Sequence, residues 1–145
     1  MQQLHLGATR LRRHMMDTEA ARRGDENVST PAELVDLLKA MYGTAGGGPG
    51  AADGALALLK KPKESRLRKG LPEGVDTADK PGELDGVRVD AGVVFVKNRP
   101  YVLCVMTTFL KSDAEGERAI EEMSRAAYDY FSRIALGGDL GRILR

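Results

Sequence analysis

Tryptophan is missing from this chain, and its 145 residues include only three phenylalanines, four tyrosines, two histidines and one cysteine. A single cysteine, Cys104, rules out an internal disulfide and any metal site built from several thiolates. It lies in the apolar run Tyr101 to Met106, where a thiol is an inert core group and not a nucleophile. Charge of one sign is also lacking: 22 Lys+Arg stand against 21 Asp+Glu, so no overall field draws in nucleic acid or an acidic partner. The one basic cluster, Arg10, Arg12, Arg13, Arg22 and Arg23, has few aromatics among it and acidic residues directly after it, so no nucleic-acid partner is expected. No apolar run approaches the roughly 20 residues of a membrane span, and no membrane partner is expected. The Arg-rich N-terminus has neither a continuous apolar segment nor a small-residue cleavage site, so it reads as no export signal.

What is present fits one domain over residues 1–145, long enough to bury a core. Residues 1–30 read as irregular, with Met15 and Met16 as the main apolar anchors. Thr30, Pro31 and Glu33 then form a clear helix start, a Thr-x-x-Glu capping box with proline at the first helical position. Leu34, Leu37, Leu38 and Met41 make one apolar stripe, and Gly43 is a natural stop. The glycine-rich stretch 43–50 carries no phosphate-cradling pattern. A short Ala/Leu helix is expected at about 51–60, ahead of Pro62, followed by a basic, solvated segment from Lys60 to Lys69. The turn Leu71-Pro72-Glu73-Gly74 leads into a first strand at roughly 75–84. Residues 87–96 and 101–109 are the strongest strands, joined by a hairpin at Lys97-Asn98-Arg99-Pro100. The last is apolar on both faces, as if covered from both sides. A second capping box, Ser112 to Glu115, opens a helix with Ile120, Met123, Ala127, Phe131 and Ile134 on one face.

Several separated pieces occur in a telling order. Asn27-Val28-Ser29-Thr30-Pro31 precedes a helix, Arg68 comes shortly before Leu71-Pro72-x-Gly74, and Asp79-Lys80-Pro81-Gly82 opens a strand pair. Gly86-Val87-Arg88-Val89-Asp90, Arg99-Pro100-Tyr101-Val102 and a closing helix follow. Read alone, Lys80-Pro81-Gly82 has the composition of a solvated turn. The ordered set, over nearly the whole chain, resembles the C-terminal part of the class A β-lactamase and penicillin-recognising serine hydrolase family. That resemblance implies an α/β fold of the α+β type, an antiparallel sheet of about three strands with flanking helices, incomplete relative to the β-lactamase/transpeptidase fold. It divides the chain into an Ω-loop-like segment (1–30), a helical part (31–70), and strands with a terminal helix (71–145).

By the same resemblance, Lys80 matches the lysine of the family's Lys-Thr/Ser-Gly motif, making a pocket positive for an anionic substrate. Gly82 lets backbone approach the ligand, and the backbone N–H of Glu83 is one donor of the oxyanion hole. Arg88 falls near the position from which some members reach the substrate carboxylate; its other reading is a surface cation paired with Asp90 or Glu83. Two departures concern chemistry. Pro81 replaces a hydroxyl residue in the substrate-contacting motif and also removes an N–H, although an edge strand tolerates it. Aligning Arg13 with the Ω-loop arginine sets Met15 at the position of the deacylating glutamate, and a thioether cannot activate water. Asp17 and Glu19 are the nearby carboxylates, with Asp17 the candidate base, out of register unless the loop rearranges.

The family's Ser-x-x-Lys nucleophile motif is absent: Ser29, Ser65, Ser112, Ser124 and Ser132 all lack a lysine three residues on. The expectation is therefore a truncated portion of a serine hydrolase, inactive alone, whose complete relative acylates serine with a β-lactam or peptide-like amide. The alternative is a non-catalytic binding or interaction module derived from that fold. The resemblance implies no cofactor and no metal. It leaves localisation open, with an exported parent, periplasmic or extracellular, compatible with the family. Self-association through the exposed sheet edge at 101–109 is expected, because in the family that strand lies beside one from the missing part.

Overall fold

The computed structural model describes residues 4–44 and 51–137. The chain order is α1 (Thr18–Arg22), α2 (Pro31–Thr44), α3 (Ala51–Lys60), α4 (Arg66–Lys69), β1 (Thr77–Leu84), β2 (Val87–Val94), β3 (Tyr101–Thr107) and α5 (Asp113–Ala135). The three strands form one antiparallel sheet in the order β1-β2-β3. Most of the expected glycine-rich connection, residues 45–50, lies outside the described residues.

Strand pleating divides the core in two. Ala78, Ala91 and Val93 face α2 and α3, packing on Leu38 and Leu56. Val94, Tyr101 and Val105 face α4 and α5, packing on Leu67 and Ile120. Short turns set the register. Gly86 takes φ +66° between β1 and β2, a conformation a Cβ would strain. Asn98, at φ +63°, serves the β2–β3 connection, where asparagine tolerates the left-handed region.

Each strand is trimmed at the end where its ladder runs out, giving 77–84, 87–94 and 101–107 in place of the longer expected runs. The helix expected to stop at Gly43 continues to Thr44. Thr30 does cap α2, its Oγ1 accepting from Glu33 N at 3.2 Å, but the Glu33 carboxylate does not fold back. It accepts from Ala8 N at 2.6 Å and from Thr9 Oγ1, tying the N-terminal loop to the helix. Ser112 precedes α5 without a side-chain cap bond, so the second capping box is not formed. On α5, Ile120, Ala127 and Phe131 of the expected face pack into the core, Met123 is half exposed, and Gly116 and Ser124 are buried as well, with Ser124 Oγ donating to Leu67 O at 2.7 Å.

Three further expectations are overturned, the first being that residues 1–30 are irregular, since Thr18–Arg22 forms α1. The segment 60–69 is not simply solvated: it contains α4, whose Leu67 is fully buried and whose N-cap Ser65 is 3% exposed. Met15 and Met16 are not anchors either, being 78% and 87% exposed. Polar groups hold that loop. Arg13 donates to Glu26 Oε2 through Nε and Nη2 at 2.9 and 2.8 Å, and Asn27 Oδ1 accepts from Arg12 N and Arg13 N at 2.8 and 3.1 Å. A bridge between Arg10 and Val28 closes it.

Candidate functional site

β1 is an edge strand, and its backbone phase follows from one bond beyond its end. Phe95 N donates to Asp76 O at 3.0 Å. In the observed register that commits Ala78, Lys80 and Gly82 to bonding with Val93, Ala91 and Val89 on β2. Thr77, Asp79, Pro81 and Glu83 therefore turn their main-chain groups away from the sheet. Pro81, which has no N–H, occupies an outward position and breaks no ladder bond. Two residues on, Glu83 presents its N–H along the same free edge. Lys80 is exposed on the face that also carries Ala78 and Ala91, toward α2 and α3, and its Nζ donates to Pro81 O at 2.6 Å. A Cβ on Gly82 would come no closer than 3.7 Å to Val89 Cβ, so nothing inside the fold requires glycine there.

Beneath this edge lies a buried ionic layer. Asp79 is fully buried, and its Oδ1 accepts from Arg68 Nε and from Thr77 Oγ1, both at 2.7 Å. Arg68 Nη2 also reaches the carbonyls of Leu59, Lys61 and Thr77 at 3.3 to 3.5 Å, joining the end of α3 to the start of β1. Asp90, equally buried on β2, accepts through Oδ2 from Ser65 Oγ at 2.8 Å and Leu67 N at 3.0 Å. Burial pushes the Asp90 carboxyl above its ordinary range, and the neighbouring Asp79 adds to the shift against the opposing hydrogen bonds. Lys63 sits close enough to feel Asp79, Arg68, Asp90 and Lys80, and burial lowers its ammonium below the usual lysine value. Charged residues in a basic stretch read as solvent-facing, so reading the sequence alone missed Lys63, the Arg68–Asp79 pair and the Ser65–Asp90 bond.

The remaining candidates are placed as follows. Asp17 is the N-cap of α1, its side chain accepting from Ala20 N at 2.9 Å, while Glu19 pairs with Arg22. Arg88 is on the other face of the sheet from Lys80. The pleat that aligns Lys80 with Ala91 sends Arg88 and Asp90 toward α4 and α5. Arg88 donates to Leu84 O and Val87 O at 2.7 and 2.8 Å and pairs with Asp113 and Glu117 at 2.5 and 3.5 Å, so neither Asp90 nor Glu83 is its partner. A cavity of about 520 Å³ is lined by Asp76, Lys97, Tyr128 and Ser132 among others, but not by Lys80, Gly82 or Glu83.

Residues 1–131 match the sequence profile described as the β-lactamase enzyme family. No curated protein matches the chain. Among solved structures, PBP-A aligns with a TM-score of 0.77 at 26% identity, over 90% of this chain and 48% of its own. The β-lactamase of Sphaerobacter thermophilus gives 0.75 at 26% identity, over 90% of this chain and 50% of its own. The TLA-1 extended-spectrum β-lactamase shares the fold, with a TM-score of 0.76 at 23% identity, over 90% of this chain and 52% of its own. The chain thus spans about half the length of the solved relatives it matches.

Proposed function

The chain belongs to the β-lactamase enzyme family, and from that premise we propose that it forms the strand-side wall of a serine-hydrolase site for β-lactams or peptide-like amides. The observation carrying this reading is the outward edge of β1, where the Glu83 N–H and the Lys80 ammonium lie on one open border. A related protein, a PBP-A mutant, has been seen as an acyl-enzyme complex with penicillin G.

In this reading the Glu83 N–H is one of two donors to the oxyanion of a tetrahedral intermediate, where preorganised donors contribute about 3–4 kcal/mol each. Lys80 neutralises the substrate's anion and supports proton movement beside the nucleophile. Gly82 leaves room for substrate against the strand, and Pro81 removes the hydroxyl contact that a motif Thr or Ser would make. The attacking serine and its lysine belong to the half of the fold that this sequence does not contain. Without them the chain cannot form the acyl-serine bond, so it is inactive alone.

The test is to incubate the chain with a chromogenic cephalosporin, then repeat with a polypeptide spanning the other half of the fold. We expect no turnover and no acyl adduct by mass spectrometry from the chain alone, and an adduct on the added serine when both are present. A covalent adduct on any of the five serines of this chain would overturn the reading. Pro81 and the solvent-exposed Met15 favour a second reading, a non-catalytic binding module, because both alter chemistry and leave packing intact. That reading expects the paired halves to bind penicillin G without any adduct.

A further inference from the structure

The cavity of about 520 Å³ lies at the end of the sheet remote from Glu83 and the Gly86 turn. Three pieces of chain wall it: the turn Gly74 to Asp76 before β1, residues 95–98 after β2, and the last turns of α5 from Tyr128. The first two are tied together by Phe95 N, which donates to Asp76 O at 3.0 Å. Val75, Val96 and Tyr128 pack with the buried cluster of Leu67, Val94 and Ile120, so the inner wall is apolar and continuous with the core under α5. Asp76, Lys97 and Asn98 are exposed. The volume is that of a small-molecule site.

The polar groups around this cavity have few partners within the chain. Among the described residues, the side chains of Asp76, Lys97 and Asn98 make no hydrogen bond or ion pair, and the two opposite charges are not paired with each other. The half-buried Tyr128 ring joins neither the Tyr101–Phe131 stack nor the Tyr130–Phe131 edge contact. One helical turn on, Ser132 Oγ is buried without a hydrogen-bond partner, although buried hydroxyls ordinarily have one.

We propose that this cavity binds a free α-amino acid with an aromatic side chain, its ammonium at Asp76, its carboxylate at Lys97 and its ring against Tyr128. One anion and one cation beside a single cavity suit a zwitterion. A simple anion at Lys97 would also meet the Asp76 carboxylate, and a simple cation at Asp76 would meet the Lys97 ammonium, so either is disfavoured. Tyr128 offers an unpaired ring for offset or edge stacking, and Val75 and Val96 give the apolar floor. A short aliphatic side chain would leave part of the volume unfilled and forfeit contacts. The site is on the α4/α5 side of the sheet, whereas Lys80 faces α2 and α3 from the far half of β1. The proposal therefore stands apart from the serine-hydrolase reading.

Calorimetric titration and amide chemical shifts of the full chain test it with four probes. These are L-phenylalanine, hydrocinnamate, which lacks the ammonium, phenethylamine, which lacks the carboxylate, and L-alanine, which lacks the ring. We expect L-phenylalanine to bind with a dissociation constant of about 1 mM, shifting the amides of Gly74, Lys97 and Asn98. The other three should bind at least about tenfold more weakly. Asp76→Asn should bring L-phenylalanine down to the level of hydrocinnamate, and Lys97→Gln to that of phenethylamine. Both residues are exposed, so the variants should keep the parent's unfolding midpoint and a lost affinity reports on the site. No binding of L-phenylalanine at millimolar concentration would overturn the proposal. So would equal affinity for L-phenylalanine and any other probe, or indifference to either substitution. Shifts centred on the Gly82 and Glu83 amides would move the ligand to the β1 edge and defeat it as well.

Discussion

Asp90 is the residue whose chemistry departs furthest from the sequence's suggestion. An aspartate in a strand reads as solvent-facing, yet this one has no exposed surface, and its Oδ1 has no hydrogen-bond partner. Its folded pKa lies above the unfolded value, so the native state holds the proton more tightly. Its contribution to stability is then present at acid pH and is lost as pH rises from the ordinary value of 3.8 through the raised folded one. Asp90→Asn keeps an acceptor for Ser65 and Leu67 and removes the titration. Urea midpoints measured from pH 4 to 8 should fall with pH more steeply in the parent chain than in the variant. Parallel profiles would show that Asp90 does not titrate in this window.

Among the described residues Arg68 is the sole cation hydrogen-bonded to the buried Asp79, which is otherwise held by the Thr77 hydroxyl. Breaking a buried pair from one side typically costs about 3–5 kcal/mol. Arg68→Met should therefore destabilise the chain by that order, by urea denaturation, and loosen β1 at the strand that carries Lys80. Restoration by Arg68→Met/Asp79→Asn would confirm that the uncompensated carboxylate is the cause. A loss below about 1 kcal/mol, the range of surface pairs, would show that the pair is effectively solvated.

At the scale of elements, the glycines of the sheet separate packing from chemistry. A Cβ on Gly92 would stand 2.5 Å from Asp79 Cβ and 2.8 Å from its Cα, whereas Gly82 has room for one. Gly92→Ala should push β1 off β2 and cost about 1–3 kcal/mol, as overpacking does. Gly82→Ala should leave the unfolding midpoint almost unchanged and impair only adduct formation in the two-part assembly. If Gly82→Ala destabilised as much as Gly92→Ala, the outward assignment of the β1 edge would be wrong.

The same contrast explains what could be read in advance. The helix start at Thr30-Pro31 and the valine-rich run of β2 were legible because capping and strand preference act through neighbouring residues. Leu67 was not, since one apolar residue among Arg66, Arg68 and Lys69 carries no periodicity, and its burial depends on Asp90 and Ser124 far away in the chain. Lys80 and Gly82 stood out through a motif. The ionic layer that supports them is made of pairings 11 to 25 residues apart, which no local pattern announces. The partners of Arg88, Asp113 and Glu117, were not legible because its face of the sheet depends on a pleat register fixed only by strand pairing.

For the whole molecule, β-lactamase family membership and half-length coverage set the scale of any activity. Where the resemblance places the deacylating glutamate, the chain has Met15, 78% exposed, and the neighbouring Asp17 caps α1. A completed enzyme should therefore acylate and stall, accumulating adduct without fast turnover. Mass spectrometry after rapid quenching checks this. Rapid multiple turnover at neutral pH, surviving Asp17→Asn with Glu19→Gln, would show that a base has been overlooked.

Arg68 also changes what a break in the chain would do. Its guanidinium holds residues 59–61 and 77–79 together, while Ser65 and Leu67 grip Asp90, and Ser124 grips Leu67 from α5. The exposed turn Pro72-Glu73-Gly74 between α4 and β1 is thus bypassed on every side by noncovalent ties. Cleaved between Glu73 and Gly74, the two pieces should remain one particle and part only when denatured. Continuity of the polypeptide there is dispensable, and the α4 network serves as a rivet between two plates.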